Sequence, residues 1–264
     1  MTKTQIIAWG SVSAVLIAAA IAVKLIFFPS LSETYFAVSS SRLRTVPAGY
    51  VVVRPTHSAA QSRTAQNRIA YATKGSERIV GVNVTFHTLI SLAYSHDPAH
   101  ITLPWNAPTN QNYDILVTAP GDISQHLQAA IRSKLGFVAD VETNEVDVMA
   151  LKIENPTAQM QNFKLSPDIE KENEDMKNGR LYFTHTRLLT IMNGLEQIIR
   201  SPVVDETGLT NSYDFSVAWS TQLEKQLQGG TFSKDLGAKI LSDWGLGMEP
   251  DTAPIAMLVV KKAP

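Results

Sequence analysis

Two passages of this chain repeat one another at a constant spacing, and that repeat constrains the fold more than any other feature. Residues 122–152, DISQHLQAAIRSKLGFVADVETNEVDVMALK, align without a gap on residues 231–261, TFSKDLGAKILSDWGLGMEPDTAPIAMLVVK, 109 positions further on. Eight of the 31 pairs are identical, among them Leu127 with Leu236, Ile131 with Ile240, Gly136 with Gly245 and Thr143 with Thr252. Agreement at one register points to internal duplication, so the 264 residues are expected to hold two related units. In both passages apolar residues recur every four positions (Leu127, Ile131, Leu135; Leu236, Ile240, Trp244), the stripe of a packed helix. Asp122 and Ser233 suit N-caps, and Gly136 and Gly245 suit left-handed C-caps. Two strands around a short polar turn are expected after each helix: FVADVE and VDVMALKI, then LGMEP and IAMLVVKK.

The residues upstream correspond less tightly. Arg78-Ile79-Val80 precedes a helix expected over 85–94, and Arg180-Leu181-Tyr182 precedes one over 187–200. Each is followed by a short strand, a loop and a Tyr-Asp that opens another strand, Tyr113-Asp114 in YDILVTA and Tyr213-Asp214 in YDFSVAW. The expected fold class is α+β: two duplicated β-α-β-β-α-β-β units with mixed and antiparallel sheets, preceded by an N-terminal transmembrane helix. The first unit is placed at 50–154 and the second at 180–264. A stalk at 29–49 precedes them, and an acidic linker at 155–179 separates them.

Residues 6–23, IIAWGSVSAVLIAAAIAV, carry no charge, and LIFF extends the run beyond Lys24 to Phe28. Eighteen helical residues span roughly 27 Å and Lys24 can snorkel, so residues 6–28 read as an uncleaved signal anchor. Lys3 and the amino terminus favour a cytoplasmic start with the body outside, in the periplasm of a bacterial inner-membrane protein. Residues 29–264 carry 21 basic and 24 acidic side chains without a basic patch, so no nucleic-acid partner is expected. The absence of cysteine excludes disulfides, thiol nucleophiles and thiolate metal sites.

Recognised catalytic spacings are missing. His96 and His100 stand four apart, but Pro98 argues for a loop and no H-E-x-x-H is formed, so no metal or cofactor is expected. Gly229-Gly230-Thr231-Phe232-Ser233-Lys234 lacks the spacing of a phosphate loop and reads as a glycine hinge before an N-cap. The stretch SPVVDETGLTNSYDFSVAW, residues 201–219, concentrates acids and hydroxyls. Pro202-Val203-Val204 reads as a strand, Asp205 to Gly208 as a turn, and Tyr213 to Trp219 as a second strand with its aromatics on one face. Asp205, Thr207, Gly208, Tyr213 and Asp214 are the candidate binding residues; no catalytic residue is assigned.

The run GRLYFTHTRLLTIMNGLEQIIRSPVVDETGLTNSYDFSVAW resembles the signature of an uncharacterised family expanded in soil bacteria, notably acidobacteria, whose members show a VVDxTGL…YDF motif. NVTFHTLISLAY, NYDILVTAP and LGMEPDTAPIAMLVVKK extend the resemblance over about residues 50–262. The chain departs at Asn211, where glycine is common, and in SHDPAHITLPWNAPTN, which lacks the family's GGPxW but keeps Pro104-Trp105. The resemblance implies an exported or membrane-anchored protein, in a family with members beside antibiotic-sensor-like membrane metallopeptidase modules. The paired units are also similar in pattern to small periplasmic domains of secretins and TonB-dependent receptors. The leading expectation is a binding module for an envelope protein or peptide. The alternatives are an envelope hydrolase using acids near Asp205 and Asp214, or a sensor ectodomain partnered with a membrane metallopeptidase.

Overall fold

Runs rich in valine, isoleucine and tyrosine become strands here, and the four-residue apolar stripes become helices. The structure, a computed structural model, describes residues 33–37, 39–56, 68–72, 78–166, 173–218 and 234–264. In chain order the elements begin with α1 (Ser40–Leu43), β1 (Val51–Pro55), β2 (Arg68–Ala72), β3 (Arg78–Thr85), α2 (Phe86–Tyr94), β4 (Ile101–Thr102) and β5 (Asn112–Val117). α3 (Ile123–Ala130), with a π-turn at Ile131–Leu135, leads into β6 (Phe137–Ile153), α4 (Pro156–Asn162), β7 (Lys164–Leu165) and β8 (Asn173–Lys177). β9 (Arg180–Arg187), α5 (Leu188–Ile199), β10 (Val203–Asp205), β11 (Ser212–Ala218), α6 (Lys234–Asp243) and β12 (Leu246–Lys262) complete the chain. The fold is α+β with three four-stranded sheets among the described residues. The expected anchor at 6–28, Trp219, Ser233 and the Gly229–Gly230 hinge lie outside them. Among the described residues no helix is long and apolar enough to cross a membrane.

The chain divides into two compact units. The first comprises the described residues up to Thr85 together with Gln111–Leu127. Its sheet has the order β1-β5-β3-β2, antiparallel throughout. Val80, Val82 and Leu116 from the sheet pack with Phe36, Leu43 and Val46. The segment 29–49, expected as a stalk, therefore supplies core residues. Its apolar residues show no regular period because they sit on a 3-10 turn at Glu33–Ala37, on α1 and on the residues after it. Burial of such a side chain contributes about 1.5–3 kcal/mol, enough to hold a short segment down. Arg78 fastens it further, donating to the carbonyls of Leu43, Arg44 and Val46.

The second unit, Phe86–Asn110 with Gln128–Pro264, holds the other two sheets, β10-β6-β12-β4 and β7-β11-β9-β8. At its centre β6 and β12 pair antiparallel along all seventeen residues of each. Each is one continuous strand, not the expected pair of strands around a turn, so the order within each half is β-α-β-β-α-β. The residues that suggested turns, Thr143 to Glu145 and Asp251 to Pro254, lie where the ribbon is exposed or half-buried on both faces. A strand wet on both sides needs no alternation, and its partner satisfies the backbone. Glu145 pairs with Pro254, which is also its counterpart at the repeat spacing. β10 lies parallel on β6 with Val203 opposite Met149. β4 lies parallel on β12 with Ile101 opposite Leu258, the counterpart of Met149.

Segment 155–179, expected as a linker, carries α4, β7 and β8. Asn155 caps α4 by accepting from Ala158 N at 3.1 Å, with Pro156 at the first turn where its missing N–H costs nothing. Phe163 follows, buried, stacked on Phe215 at 5.1 Å and edge-on to Tyr213 and Trp244. One aromatic residue thus ties an otherwise polar segment to the core.

Candidate functional site

Within residues 203–214 the side chains of Asp205, Thr207 and Asp214 accept from backbone N–H groups. After the two valines of β10, Asp205 Oδ1 accepts from Thr207 N at 2.8 Å and from Thr207 Oγ1 at 2.7 Å. Thr207 Oγ1 then accepts from Leu209 N at 3.1 Å, and Gly208 takes φ +71°. That is a self-closed turn of the kind aspartate and glycine favour. Its outer face is exposed, and Glu206 reaches Lys152, which also pairs with Glu249 at 2.9 Å. Tyr213 is buried against Phe163. Asp214 Oδ1 accepts from His185 N at 3.0 Å, and His185 has φ +54° at a bulge between β9 and β11. Of the five candidates Asp205 closes β10 in one sheet, Tyr213 and Asp214 stand near the start of β11 in another, and Thr207 and Gly208 lie in the turn between.

The first unit repeats that arrangement. Asp114 Oδ1 accepts from Asn83 N at 3.2 Å, and Asn83 has φ +59° at a bulge between β3 and β5. Asp114 is 1% exposed and also takes Thr56 Oγ1 at 3.0 Å and Arg54 at 3.5 Å. In both strands the aspartate stabilises a left-handed residue that lets the chain turn from strand into helix.

Pro98 does break the helical spacing of the two histidines. His96 precedes, and His100 ends, a 3-10 turn (Pro98–His100) capped by Asp97, which accepts from Ala99 N at 2.8 Å. His100 Nε2 lies 2.9 Å from Glu196 Oε1, which also accepts from Val203 N at 2.8 Å. Glu196 is buried on α5, a role that LEQII gives no sign of, because a glutamate in a helix ordinarily faces water. Burial lowers the pKa of His87 and His96; Arg200 adds to the effect at His87 and His100 at His96, with Asp97 opposing both. Among the described residues no group of three histidines and acids could hold a metal.

The largest departure from the expected site is a cavity of about 300 Å³ inside the second unit. Leu181, Phe183, Phe215 and Val217 of β9 and β11 form one wall, and Ile191, Leu195 and Ile198 of α5 form another. Ile240, Leu241 and Trp244, on α6 and just beyond it, line it as well, and the indole Nε1 donates to Ser216 O at 2.9 Å. A second cavity of about 550 Å³, reaching Met149 and Met248, shares Leu195, Ile198, Gly237 and Leu241 with the first. α5 and α6 therefore leave room along their seam. Gly194 lies on this lining in the interior of α5, and a Cβ there would meet nothing within 4 Å. Glycine inside a helix costs about 1 kcal/mol relative to alanine, so Gly194 of α5 and Gly237 of α6 are the sequence signals on this lining.

These features define an α+β protein with an apolar chamber between two helices and a sheet. The family model described as "Protein of unknown function (DUF3738)" matches residues 87–263, and the chain belongs to that family. No curated protein and no solved structure matches it.

Proposed function

We propose that this chain is a membrane-anchored extracytoplasmic binding module, built by internal duplication, whose binding site is the apolar cavity of its second half. The observation that carries the reading is the cavity itself. Its volume falls in the range of small-molecule sites, and apolar residues of both helices and the sheet line it. Duplication is supported by the repeat spacing of 109, by the sheet orders β1-β5-β3-β2 and β7-β11-β9-β8, and by the matching Asp114–Asn83 and Asp214–His185 bonds. The anchor rests on the uncharged run at 6–23, and the soil-bacterial type on the VVDETGL…YDF run. The turn at Asp205 to Gly208, with Asp214 and Tyr213 behind it, is proposed as a polar surface where an envelope protein or peptide docks.

Native mass spectrometry of the full chain purified from membranes tests the reading. A retained small molecule, absent from a variant whose cavity is filled, is the expected result. A bare protein whose hydrolytic turnover of an envelope substrate disappears in folded Asp205→Ala or Asp214→Ala would establish the hydrolase in its place.

A further inference from the structure

We infer that the cavity of the second half takes an uncharged hydrocarbon ligand of about ten non-hydrogen atoms and discriminates against anions. This rests on the reading of the cavity as the binding site and adds the chemistry of its ligand.

The size follows from the volume: about 300 Å³ is roughly ten water-sized volumes. The polarity follows from the walls. Among the described lining residues the one charged side chain is Glu174, exposed on β8. Trp244 Nε1 is held by Ser216 O, and Thr186 Oγ1 donates to Thr184 O at 3.3 Å. The indole thus offers its ring to a ligand, while Phe183 and Phe215 stack on each other at 4.8 Å and form an aromatic wall. A carboxylate or phosphate entering this space would leave water and meet a carboxylate, with no lysine or arginine among the lining residues to balance it. An uncharged chain or ring loses nothing of that kind and gains contact with the apolar walls.

Gly194 sharpens the assignment. With Arg180 set against Arg78, Gly194 stands where the first half has Leu92. Gly194 is exposed and a Cβ there would meet nothing within 4 Å, so a leucine side chain can be added at this point of the lining. Gly194→Leu is therefore a variant that adds side-chain bulk to the cavity lining and also improves helix propensity.

The full chain in lipid nanodiscs is titrated with 1-decanol, naphthalene and decanoate, following melting temperature and the methyl NMR signals of isoleucine. Decanol or naphthalene is expected to raise the melting temperature of the wild type and to shift Ile191, Ile198 and Ile240, leaving Ile79 unmoved. Decanoate is expected to bind about tenfold more weakly or worse. Gly194→Leu is expected to lose about tenfold or more in affinity for the uncharged probes without melting earlier. The comparison of decanol with naphthalene separates an aliphatic ligand from an aromatic one. Decanoate binding as tightly as decanol, and lost in Gly194→Leu, overturns the uncharged class but leaves the site. If no probe distinguishes the two proteins or moves the three isoleucines, both the ligand class and the site are overturned. Should Gly194→Leu fail to fold, Ile198→Phe and the wild-type methyl shifts decide the same question.

Discussion

Asp114 and Asp214 do the same work with different amounts of help. Each carboxylate accepts the N–H of a left-handed residue at a bulge, but Asp114 is also buried with Thr56 and Arg54. Losing a buried acceptor strands every donor it satisfied, so the cost grows with their number. Asp114→Ala is expected to destabilise the protein by about 3 kcal/mol or more and Asp214→Ala by about 1–2 kcal/mol, read from urea unfolding. The histidines supply a pH dependence. In the folded protein His87 and His96 are held below the ordinary histidine value of 6.5, chiefly by burial. Protons therefore bind the unfolded chain more readily, so stability is complete above about pH 6.5 and falls as the pH drops below it. The urea midpoint is expected to decline between about pH 7 and pH 5, and His87→Gln to flatten that decline. The sequence shows the Tyr-Asp pairs plainly. It does not show what the aspartates bind, because the sign of φ at residues 83 and 185 depends on a bulge that only strand pairing creates.

At the level of elements, the helices and their ends were legible, since a four-residue stripe and a terminal glycine are local signals. Gly136 and Gly245 both take left-handed φ, +72° and +76°. They differ in surroundings, which no local signal reports. A Cβ at Gly136 would meet nothing, whereas one at Gly245 would come within 2.4 Å of Asn155 O. Gly136→Ala is expected to cost about 1 kcal/mol, the strain of the left-handed backbone alone. Gly245→Ala adds a clash with backbone and is expected to cost about 2–4 kcal/mol; equal melting temperatures for the two variants would contradict this. The long strands were misread as pairs for a related reason. Polar residues within 143–145 look like a turn until it is known that the ribbon has solvent on both faces there.

For the molecule as a whole, the ribbon of β6 and β12 is the main long-range pairing. β12 covers the whole of β6 and carries β4 on its other edge, so its removal leaves β4 without its partner and β6 paired only with the three residues of β10. A chain ending at Gly245 is expected to lose the cooperative thermal transition, monitored by circular dichroism. Retention of a sharp transition would mean that the ribbon is an appendage to an independent core. Leu151 of β6 and Leu246 of β12 sit in the same aromatic-rich core as Phe163, Phe215 and Trp244, which is why the loss should spread beyond the strand itself.

What the sequence determined by itself is whatever repeats or is local. The spacing of 109, the helix stripes, the caps at Asp122 and Gly136 and the turn at Asp205 all depend on residues a few positions apart, or on one stretch that matches another. The tertiary structure alone decided where β6 and β12 meet, which carboxylate holds which left-handed N–H, and that α5 and α6 leave a chamber against the sheet. Those outcomes depend on distances between residues far apart in the chain, and on volume that side chains do not fill. A string of residue types records which atoms are available to fill space; the empty space beside Gly194 exists only once the walls are in place.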